Sequence, residues 1–179
     1  MAKGFLIKMI LDKTNIVLIG MPGSGKTTIG RKLAFKLKRK FIDTDHLIEE
    51  TSGKKISELF LIGEDYFRDI ESDIVKEVAY RDNLIISTGG GVIKREKNIS
   101  HLKEKGVIFF INRPPEYIIK DIKISTRPLL ENKKESIWAL YKERIHLYKG
   151  SCDVEIMNID SLDKTIDKIL IQCKEMGLI

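Results

Sequence analysis

The chain has few cysteines and no long apolar run, and these absences exclude several classes of protein. Its two cysteines, Cys152 and Cys173, are too few and too unpatterned for a disulfide framework or a cysteine metal site, so we expect a cytoplasmic location. No run approaches the roughly 18 apolar residues that a membrane span needs. The stretch from Phe5 to Leu11 is interrupted by Lys8 and lacks a small-residue cleavage site, so we expect neither a signal peptide nor a membrane partner.

The sequence also lacks the patterns typical of nucleic-acid surfaces and of histidine metal sites. Basic and aromatic residues do not alternate as they do on surfaces that stack single-stranded bases, so we expect no nucleic-acid partner. The formal net charge is +6, and much of the excess lies toward the end of a predicted helix, where cations complement the helix dipole: Arg31, Lys32, Lys36, Lys38, Arg39 and Lys40. The histidines do not have the spacing of metal ligands: His46, His101 and His146.

A length of 179 residues suits one domain, because it buries a sizeable core without disulfides. We predict a single domain over 1–179, in which 1–13 form a short N-terminal extension. Apolar runs predict strands at 15–19, 40–43, 84–87, 107–111 and 154–156. Amphipathic or capped segments predict helices at 26–38, 45–50, 56–60, 64–79, 97–105, from Pro114 onward, at 136–148 and at 161–173, with a polar loop over 123–130.

Strands that alternate with helices predict an α/β fold with a parallel sheet. In such sheets, ligands gather at the carboxyl ends of the strands.

The segment Gly20–Thr27 fits the pattern G-x-x-x-x-G-K-[ST], which cradles phosphate. A predicted strand precedes it and a predicted helix follows it, so backbone N–H groups and a helix N-terminus converge on one point. Lys26 would reach the β- and γ-phosphates, and the Thr27 hydroxyl would ligate Mg²⁺. We predict an ATP site formed by Gly23, Ser24, Gly25, Lys26, Thr27 and Thr28. The alternative is a glycine turn that only joins a strand to a helix.

Two acidic residues, Asp43 and Asp45, lie at the end of the second predicted strand. If the strand continues to Asp45, both carboxylates share one face; if it ends at Asp43, Asp45 begins the next helix. In either case two acids lie close to the predicted phosphate and Mg²⁺. We predict that Asp43 holds the metal through water and that Asp45 faces the second substrate. The alternative is that Asp45 only caps the helix.

Three glycines, Gly89, Gly90 and Gly91, follow the third predicted strand. One glycine suffices for a turn, and three in a row cost backbone entropy on folding. We expect them where a ligand approaches the main chain closely and bonds to its N–H groups. The alternative is a glycine-rich bend without a ligand.

Three arginines are candidates for contacts with anionic groups. Arg68 lies on an amphipathic helix three positions before Glu71, and such a pair is also ordinary on a protein surface. Arg127 lies in the predicted polar loop, from which it could close over a nucleotide and stabilise charge in phosphoryl transfer. Arg144 lies beside Glu143, and its alternative role is to form the polar face of a helix.

The ordered set of motifs resembles the shikimate kinase family, within the nucleoside monophosphate kinase-like P-loop group. The matching pieces are Gly20 to Thr28, Asp43-Thr44-Asp45, Phe67-Arg68 with Glu71, Ser87 to Gly91, Arg127 to Leu130, and Arg144 with Leu147-Tyr148. The resemblance implies ATP-dependent phosphorylation of the 3-hydroxyl of shikimate, on the route to chorismate and the aromatic amino acids. It also implies a three-layer fold with a five-stranded parallel sheet in the order 2-3-1-4-5, and a lid over about 122–130.

The resemblance assigns roles on the nucleotide side. It implies that Thr27 ligates Mg²⁺, that Asp43 holds the ion through water, and that Arg127 is the lid arginine on the ATP phosphates. One departure concerns adenine: an arginine often stacks on it in this family, and Lys120 takes that position. A lysine stacks less well than a guanidinium, so we expect this to affect adenine affinity and nucleotide selectivity.

On the acceptor side, the resemblance implies that Asp45 binds the ring hydroxyls of shikimate and that Gly90 supplies a main-chain contact. It implies that Arg68 and Arg144 bind the carboxylate. The predicted catalytic residues are Lys26, Asp45 and Arg127. Asp45 either accepts the proton of the acceptor hydroxyl or only positions it.

Two other functions compete with this prediction. The nearer one is a kinase for another small acceptor, such as gluconate or a nucleoside monophosphate, which leaves the paired arginines, the triple glycine and Asp45 unexplained as a set. The other is a non-catalytic module that binds nucleotides or nucleic acid, in which the acceptor-side residues would have no common purpose. We expect a monomer whose partners are shikimate and ATP.

Overall fold

Five strands form one parallel sheet in the part of the chain that the computed structural model describes, residues 13–125 and 131–179 without the side chains of 122–125 and 131–134. They are β1 (Asn15–Ile19), β2 (Lys40–Asp43), β3 (Leu84–Ser87), β4 (Gly106–Asn112) and β5 (Val154–Met157). The order across the sheet is β2-β3-β1-β4-β5, and every neighbouring pair is parallel. Val17 of β1 lies opposite Ile86 on one side and Ile108 on the other, which fixes the register.

Eight α-helices accompany the sheet in the described residues. They are α1 (Lys26–Leu37), α2 (Thr44–Ser52), α3 (Ile56–Ile62), α4 (Glu64–Ala79), α5 (Glu96–Lys105), α6 (Pro115–Ser125), α7 (Glu131–Ser151) and α8 (Leu162–Glu175), and a short 3₁₀ turn spans Val92–Lys94. No helix in this part of the chain combines the length and the apolar character that a membrane span would require.

The side chains of β1 divide the core between the two faces of the sheet, because successive residues of a strand point to opposite sides. Val17 and Ile19 pack in a cluster with residues of α4, α5 and α7. Ile16 and Leu18 pack in a second cluster with residues of α1 and α8. Helices therefore cover both faces, as the unbroken apolar runs of parallel strands require, and leave the carboxyl ends of the strands open for ligands.

The predicted sheet is confirmed, whereas most helix boundaries differ from the prediction by a few residues, most clearly on the two sides of the predicted loop. The polar segment that begins at Lys123 was expected to be a loop, but α6 continues to Ser125. No glycine or proline follows Pro115 within this helix, so nothing in the sequence ends it earlier. Helix α7 begins at Glu131 rather than at 136. Residues 1–12 of the predicted extension 1–13, and residues 126–130 of the predicted lid, lie outside the described residues.

Candidate active site

All four predicted acceptor-side residues line one cleft at the carboxyl ends of β1, β2 and β3. The cleft has a volume of about 170 Å³. Its lining consists of Pro22, Asp45, Ile56, Phe60, Phe67, Arg68, Glu71, Gly89, Gly90, Gly91 and Arg144. The structure therefore brings together the phosphate loop, four helices (α2, α3, α4 and α7) and the triple-glycine segment, which are far apart in sequence.

The phosphate loop begins directly after β1, and its glycines adopt conformations that other residues rarely take. Gly23 has a φ of 76° and Gly25 a φ of 93°, both in the left-handed region that glycine permits. Gly25 is the last residue before α1, so the loop delivers the N-terminus of this helix to the site. This geometry is typical of loops that bind phosphate with backbone N–H groups.

Lys26 is buried in the loop and bonds to the loop's own main chain. Its Nζ donates to the carbonyl oxygens of Gly20 at 2.8 Å and of Met21 at 2.9 Å. Burial lowers the pKa of Lys26 to about 8, although the negative charges of Asp45 and Asp43 act to raise it. Since an ammonium has three N–H donors, one remains for a phosphate oxygen.

Asn158 supports the phosphate loop from the segment after β5. Its Nδ2 donates to the carbonyl oxygen of Ser24 at 2.9 Å, and its Oδ1 accepts from Thr165 at 2.9 Å. A Cβ atom at Gly25 would lie 3.2 Å from Nδ2 of Asn158, so the amide packs tightly against the loop. The predicted site does not include Asn158. Its position directly after a strand, at the ligand-binding edge of the sheet, was the available signal.

Thr27 and Asp43 form the oxygen pair predicted to serve a metal ion. The Thr27 hydroxyl donates to Oδ2 of Asp43 at 2.8 Å. Oδ1 of Asp43 accepts from the backbone N–H groups of Asp45 and His46, at 3.2 Å and 3.4 Å. Asp43 is thus the N-cap of α2, and the alternative that Asp45 caps this helix is wrong. Hydroxyl and carboxylate oxygens are ligands that Mg²⁺ accepts, with water and phosphate completing its coordination.

Few protein ligands converge on this pair. The described residues contain no group of three His, Cys, Asp or Glu side chains able to hold a metal ion.

Asp45 lies in the second position of α2 and faces the cleft. A Cβ atom at Gly89 would lie only 2.4 Å from Oδ1 of Asp45, so the carboxylate rests against bare main chain. Burial raises the pKa of Asp45 to about 6, with the neighbouring Asp43 and Glu71 adding to the effect and Lys26 and Arg68 opposing it. Asp45 is therefore ionised at neutral pH but protonates more readily than an ordinary aspartate.

Arg68 and Glu71 form a buried ion pair in the cleft wall. Nη1 of Arg68 donates to Oε2 of Glu71 at 2.8 Å, and the two side chains are 7% and 1% exposed. The alternative of an ordinary surface pair is therefore wrong. Oε1 of Glu71 has no hydrogen-bond partner within the described residues, and burial raises the pKa of Glu71. The rings of Phe60 and Phe67 lie 5.7 and 5.0 Å from the guanidinium carbon and enclose it.

The triple glycine allows three side chains to pack against its main chain. Added Cβ atoms would lie 2.4 Å from Asp45 at Gly89, 2.6 Å from Pro22 at Gly90 and 2.4 Å from the Arg68 guanidinium at Gly91. This packing explains the glycines without a ligand. The expectation that a ligand also approaches this main chain stays a prediction.

Helix α7 contributes Arg144, which reaches the triple glycine. Its Nη1 donates to the carbonyl oxygen of Gly90 at 3.2 Å, and its side chain is 14% exposed. The hydroxyl of Tyr148, one helical turn later, donates to the same carbonyl oxygen at 2.5 Å. Arg144 therefore faces the cleft rather than only forming the polar face of a helix.

Two predicted nucleotide-side residues remain, Arg127 and Lys120. Arg127 lies outside the described residues. Lys120 is exposed on α6, two residues after Ile118, which packs against the phosphate loop because a Cβ atom at Gly23 would lie 3.1 Å from its Cγ2. The role of Lys120 beside adenine stays a prediction.

Several known proteins similar to this chain are shikimate kinases. A family model described as shikimate kinase matches residues 22–174. A shikimate kinase of Clostridium botulinum (strain Eklund 17B / Type B) is 54% identical over 157 residues, which cover 88% of this chain and 95% of that protein. One of Clostridium beijerinckii is 48% identical over 166 residues, covering 93% and 96%. A solved shikimate kinase from Acinetobacter baumannii in complex with shikimate matches with a TM-score of 0.83 and 34% identity, covering 97% of this chain and 99% of that one.

Proposed function

The chain belongs to the shikimate kinase family, and on that premise we propose which residues carry out the family's reaction. The enzyme transfers the γ-phosphoryl group of ATP to the 3-hydroxyl of shikimate and gives shikimate 3-phosphate and ADP, on the route to chorismate. The single observation that carries the site assignment is the convergence of Asp45, Arg68, Gly90 and Arg144 in one cleft beside the phosphate loop.

The phosphate loop holds the ATP phosphates, with the backbone N–H groups of 23–28 around them. Lys26 already has two of its three donors fixed by loop carbonyls, so its remaining N–H is held in a defined direction toward the γ-phosphate. Phosphoryl transfer depends mostly on positioning and on neutralising charge. A buried ammonium, poorly screened by water, serves both needs.

Thr27 and Asp43 would hold Mg²⁺, Thr27 directly and Asp43 through water. When bound, the ion supplies positive charge that neutralises the phosphate oxygens. The protein's part is to fix these two oxygens: the Thr27 hydroxyl by its bond to Asp43, and the Asp43 carboxylate by the N–H groups at the start of α2.

The acceptor side binds shikimate at two places, its carboxylate and its acceptor hydroxyl. Arg68 and Arg144 bind the carboxylate through charge-assisted hydrogen bonds, and Gly90 adds a main-chain contact. Asp45, ionised at neutral pH, accepts a hydrogen bond from the acceptor hydroxyl and orients its oxygen toward the γ-phosphorus. The new O–P bond forms as the bond from phosphorus to the β-phosphate oxygen breaks; the proton of the acceptor hydroxyl passes to Asp45 or to water, and ADP leaves.

Three further assignments complete the proposal. The role of lid arginine goes to Arg127, which would stabilise charge on the ATP phosphates during transfer. The chain acts as a single-domain monomer in the cytoplasm. Its partners are ATP and shikimate, without nucleic acid or membrane.

The deciding experiment measures ADP release with Mg²⁺ and ATP, with and without shikimate, and with gluconate or a nucleoside monophosphate in its place. We expect release to depend on shikimate. Asp45→Asn should bind ATP as the wild type does, while kcat/KM for shikimate falls by about 10²–10⁴-fold. Equal release with another acceptor, or no dependence on any acceptor, would reject the proposal. Near wild-type activity of Asp45→Asn would reject only the role of Asp45.

A further inference from the structure

Tyr148 is a buried residue whose hydroxyl the proposed mechanism does not use. Its side chain is fully buried, and its ring stacks on Phe110 of β4 with centroids 5.0 Å apart and an angle of 12° between the rings. A phenylalanine would make the same stack. The hydroxyl instead donates a 2.5 Å hydrogen bond to the carbonyl oxygen of Gly90 in the cleft wall. Burial raises the pKa of Tyr148 to about 12, so the hydroxyl stays a donor at all ordinary assay pH values.

The carbonyl of Gly90 accepts from two side chains at once. Arg144 donates to it at 3.2 Å and Tyr148 at 2.5 Å, and a carbonyl oxygen has two lone pairs for the two bonds. The two donors lie one turn apart on α7 and so point to the same side of the helix. The ring of Tyr148 is fully buried and stacked on Phe110, so its hydroxyl is held in place against this peptide group.

We infer that Tyr148 is a positioning residue, which fixes the Gly90 peptide and leaves the guanidinium of Arg144 free to bind the carboxylate of the substrate. The inference rests on the proposed function, because it takes Gly90 and Arg144 as the acceptor side of the site. Without the hydroxyl, Arg144 is the sole remaining donor to the Gly90 carbonyl among the contacts of the described residues. The carbonyl and the substrate carboxylate then compete for the same guanidinium.

The test compares Tyr148→Phe with Tyr141→Phe as a matched control. Tyr141 lies two turns earlier on α7, and its hydroxyl donates to Oδ1 of Asn112 at 3.1 Å, away from Gly90. Both substitutions remove one hydrogen-bonded hydroxyl. We expect Tyr148→Phe to raise KM for shikimate about five- to tenfold, the value of one lost hydrogen bond, with kcat and KM for ATP nearly unchanged. Tyr141→Phe should leave all three values at the wild-type level.

A double variant separates positioning from a general structural effect. If Tyr148 acts through Arg144, Tyr148→Phe should have almost no further effect on KM for shikimate when Arg144 is already replaced by alanine. An additive effect in that background would overturn the inference. So would an unchanged KM in Tyr148→Phe, or an equal rise in Tyr141→Phe.

The activity of the wild-type enzyme separates failure of the proposed function from failure of this inference. A wild-type enzyme without shikimate-dependent ADP release would reject the proposed function, whereas an active wild type with an unaffected Tyr148→Phe variant rejects only this inference. Should Tyr148→Phe not fold, the contact is tested in the wild type, where a hydroxyl proton in so short a bond should exchange slowly and give its own NMR resonance. Absence of that resonance at low temperature would overturn the inference.

Discussion

The hydroxyl of Thr27 donates a 2.8 Å hydrogen bond to Oδ2 of Asp43, which links the first turn of α1 to the end of β2. The same carboxylate caps α2 through its other oxygen. One side chain therefore ties the phosphate loop to the helix that carries Asp45. The nucleotide side and the acceptor side of the site are positioned by a common group.

Replacing Thr27 by valine should damage the use of MgATP far more than replacing it by serine. Valine keeps the branched shape but removes the hydroxyl, which leaves Oδ2 of Asp43 without its partner and takes away the oxygen proposed to bind Mg²⁺. Since a hydrogen bond to a charged group contributes about 1.5–3 kcal/mol, we expect kcat/KM for ATP to fall about 10- to 100-fold. Steady-state kinetics at saturating shikimate, over a range of Mg²⁺ concentrations, measures this. Similar losses in both variants would show that the hydroxyl has no part in the site.

The rate should depend on pH through two groups of the free enzyme. Asp45 has its pKa raised to about 6, so its ionised form is lost as pH falls below that value, and kcat/KM for shikimate should drop about tenfold per pH unit there. Lys26 has its pKa lowered to about 8, so its charge is lost as pH rises above that value, and kcat/KM for ATP should decline.

The acid limb of this profile can be assigned by substitution. An amide does not titrate, so the residual activity of Asp45→Asn should show no such limb. A limb that stays at the same pH in Asp45→Asn would belong to another group, for which Glu71 is the nearest candidate because burial also raises its pKa.

Arg144→Ala should mainly raise KM for shikimate. The guanidinium lies at the cleft and contacts Gly90, but it makes no contact with the phosphate loop that the structure records. We expect KM for ATP to stay near the wild-type value and KM for shikimate to rise on the order of 10-fold or more, as for a lost charge-assisted hydrogen bond. Initial-rate kinetics with each substrate varied in turn measures both. An unchanged KM for shikimate would remove Arg144 from the substrate site.

Arg68→Met should destabilise the fold as well as reduce activity. The substitution leaves the carboxylate of Glu71, 1% exposed, without its partner, and such an uncompensated buried charge costs about 3–5 kcal/mol. Urea unfolding followed by circular dichroism measures the loss. The double variant Arg68→Met/Glu71→Gln should recover part of it, because the buried charge is then gone. A loss below about 1 kcal/mol is what a surface pair would give and would contradict the buried-pair account.

The sequence predicted the sheet and most of the site because their signals are local. A strand, a glycine-rich loop and a helix follow one another at Gly20–Thr27, and the order of elements limits the topology. The acidic pair and the triple glycine also directly follow strands, so the rule that ligands bind at strand ends located them.

What the sequence did not predict depends on contacts between distant segments. Asn158 contacts the phosphate loop 134 positions away, and Tyr148 contacts Gly90 58 positions away, so no short stretch of sequence contains both partners of either contact. The burial of Arg68 and Glu71 likewise depends on aromatic rings from α3 and α4. The end of α6 at Ser125 was missed because a polar segment without helical periodicity was read as a loop.

Gly91→Ala should reduce activity because the added methyl group collides with the guanidinium of Arg68. The φ of Gly91 is −102°, which alanine also adopts, so backbone strain does not enter. The added methyl group would lie 2.4 Å from Nη2 of Arg68, and the buried bond to Glu71 limits how far that guanidinium can retreat. A displaced arginine misplaces the substrate carboxylate, so kcat/KM for shikimate should fall on the order of 10²-fold.

The matched control for this substitution is Gly150→Ala on α7. Apart from its two chain neighbours and the backbone of its own helix, no atom of the described residues lies within 4 Å of a Cβ placed at Gly150, and alanine favours a helix over glycine by about 1 kcal/mol. Gly150→Ala should therefore keep full activity with equal or slightly higher stability. Since both substitutions add one methyl group, a selective loss in Gly91→Ala isolates the contact with Arg68. Wild-type kinetics in Gly91→Ala would mean that the guanidinium of Arg68 can move without cost. Binding of the shikimate carboxylate would then not depend on the position of this guanidinium.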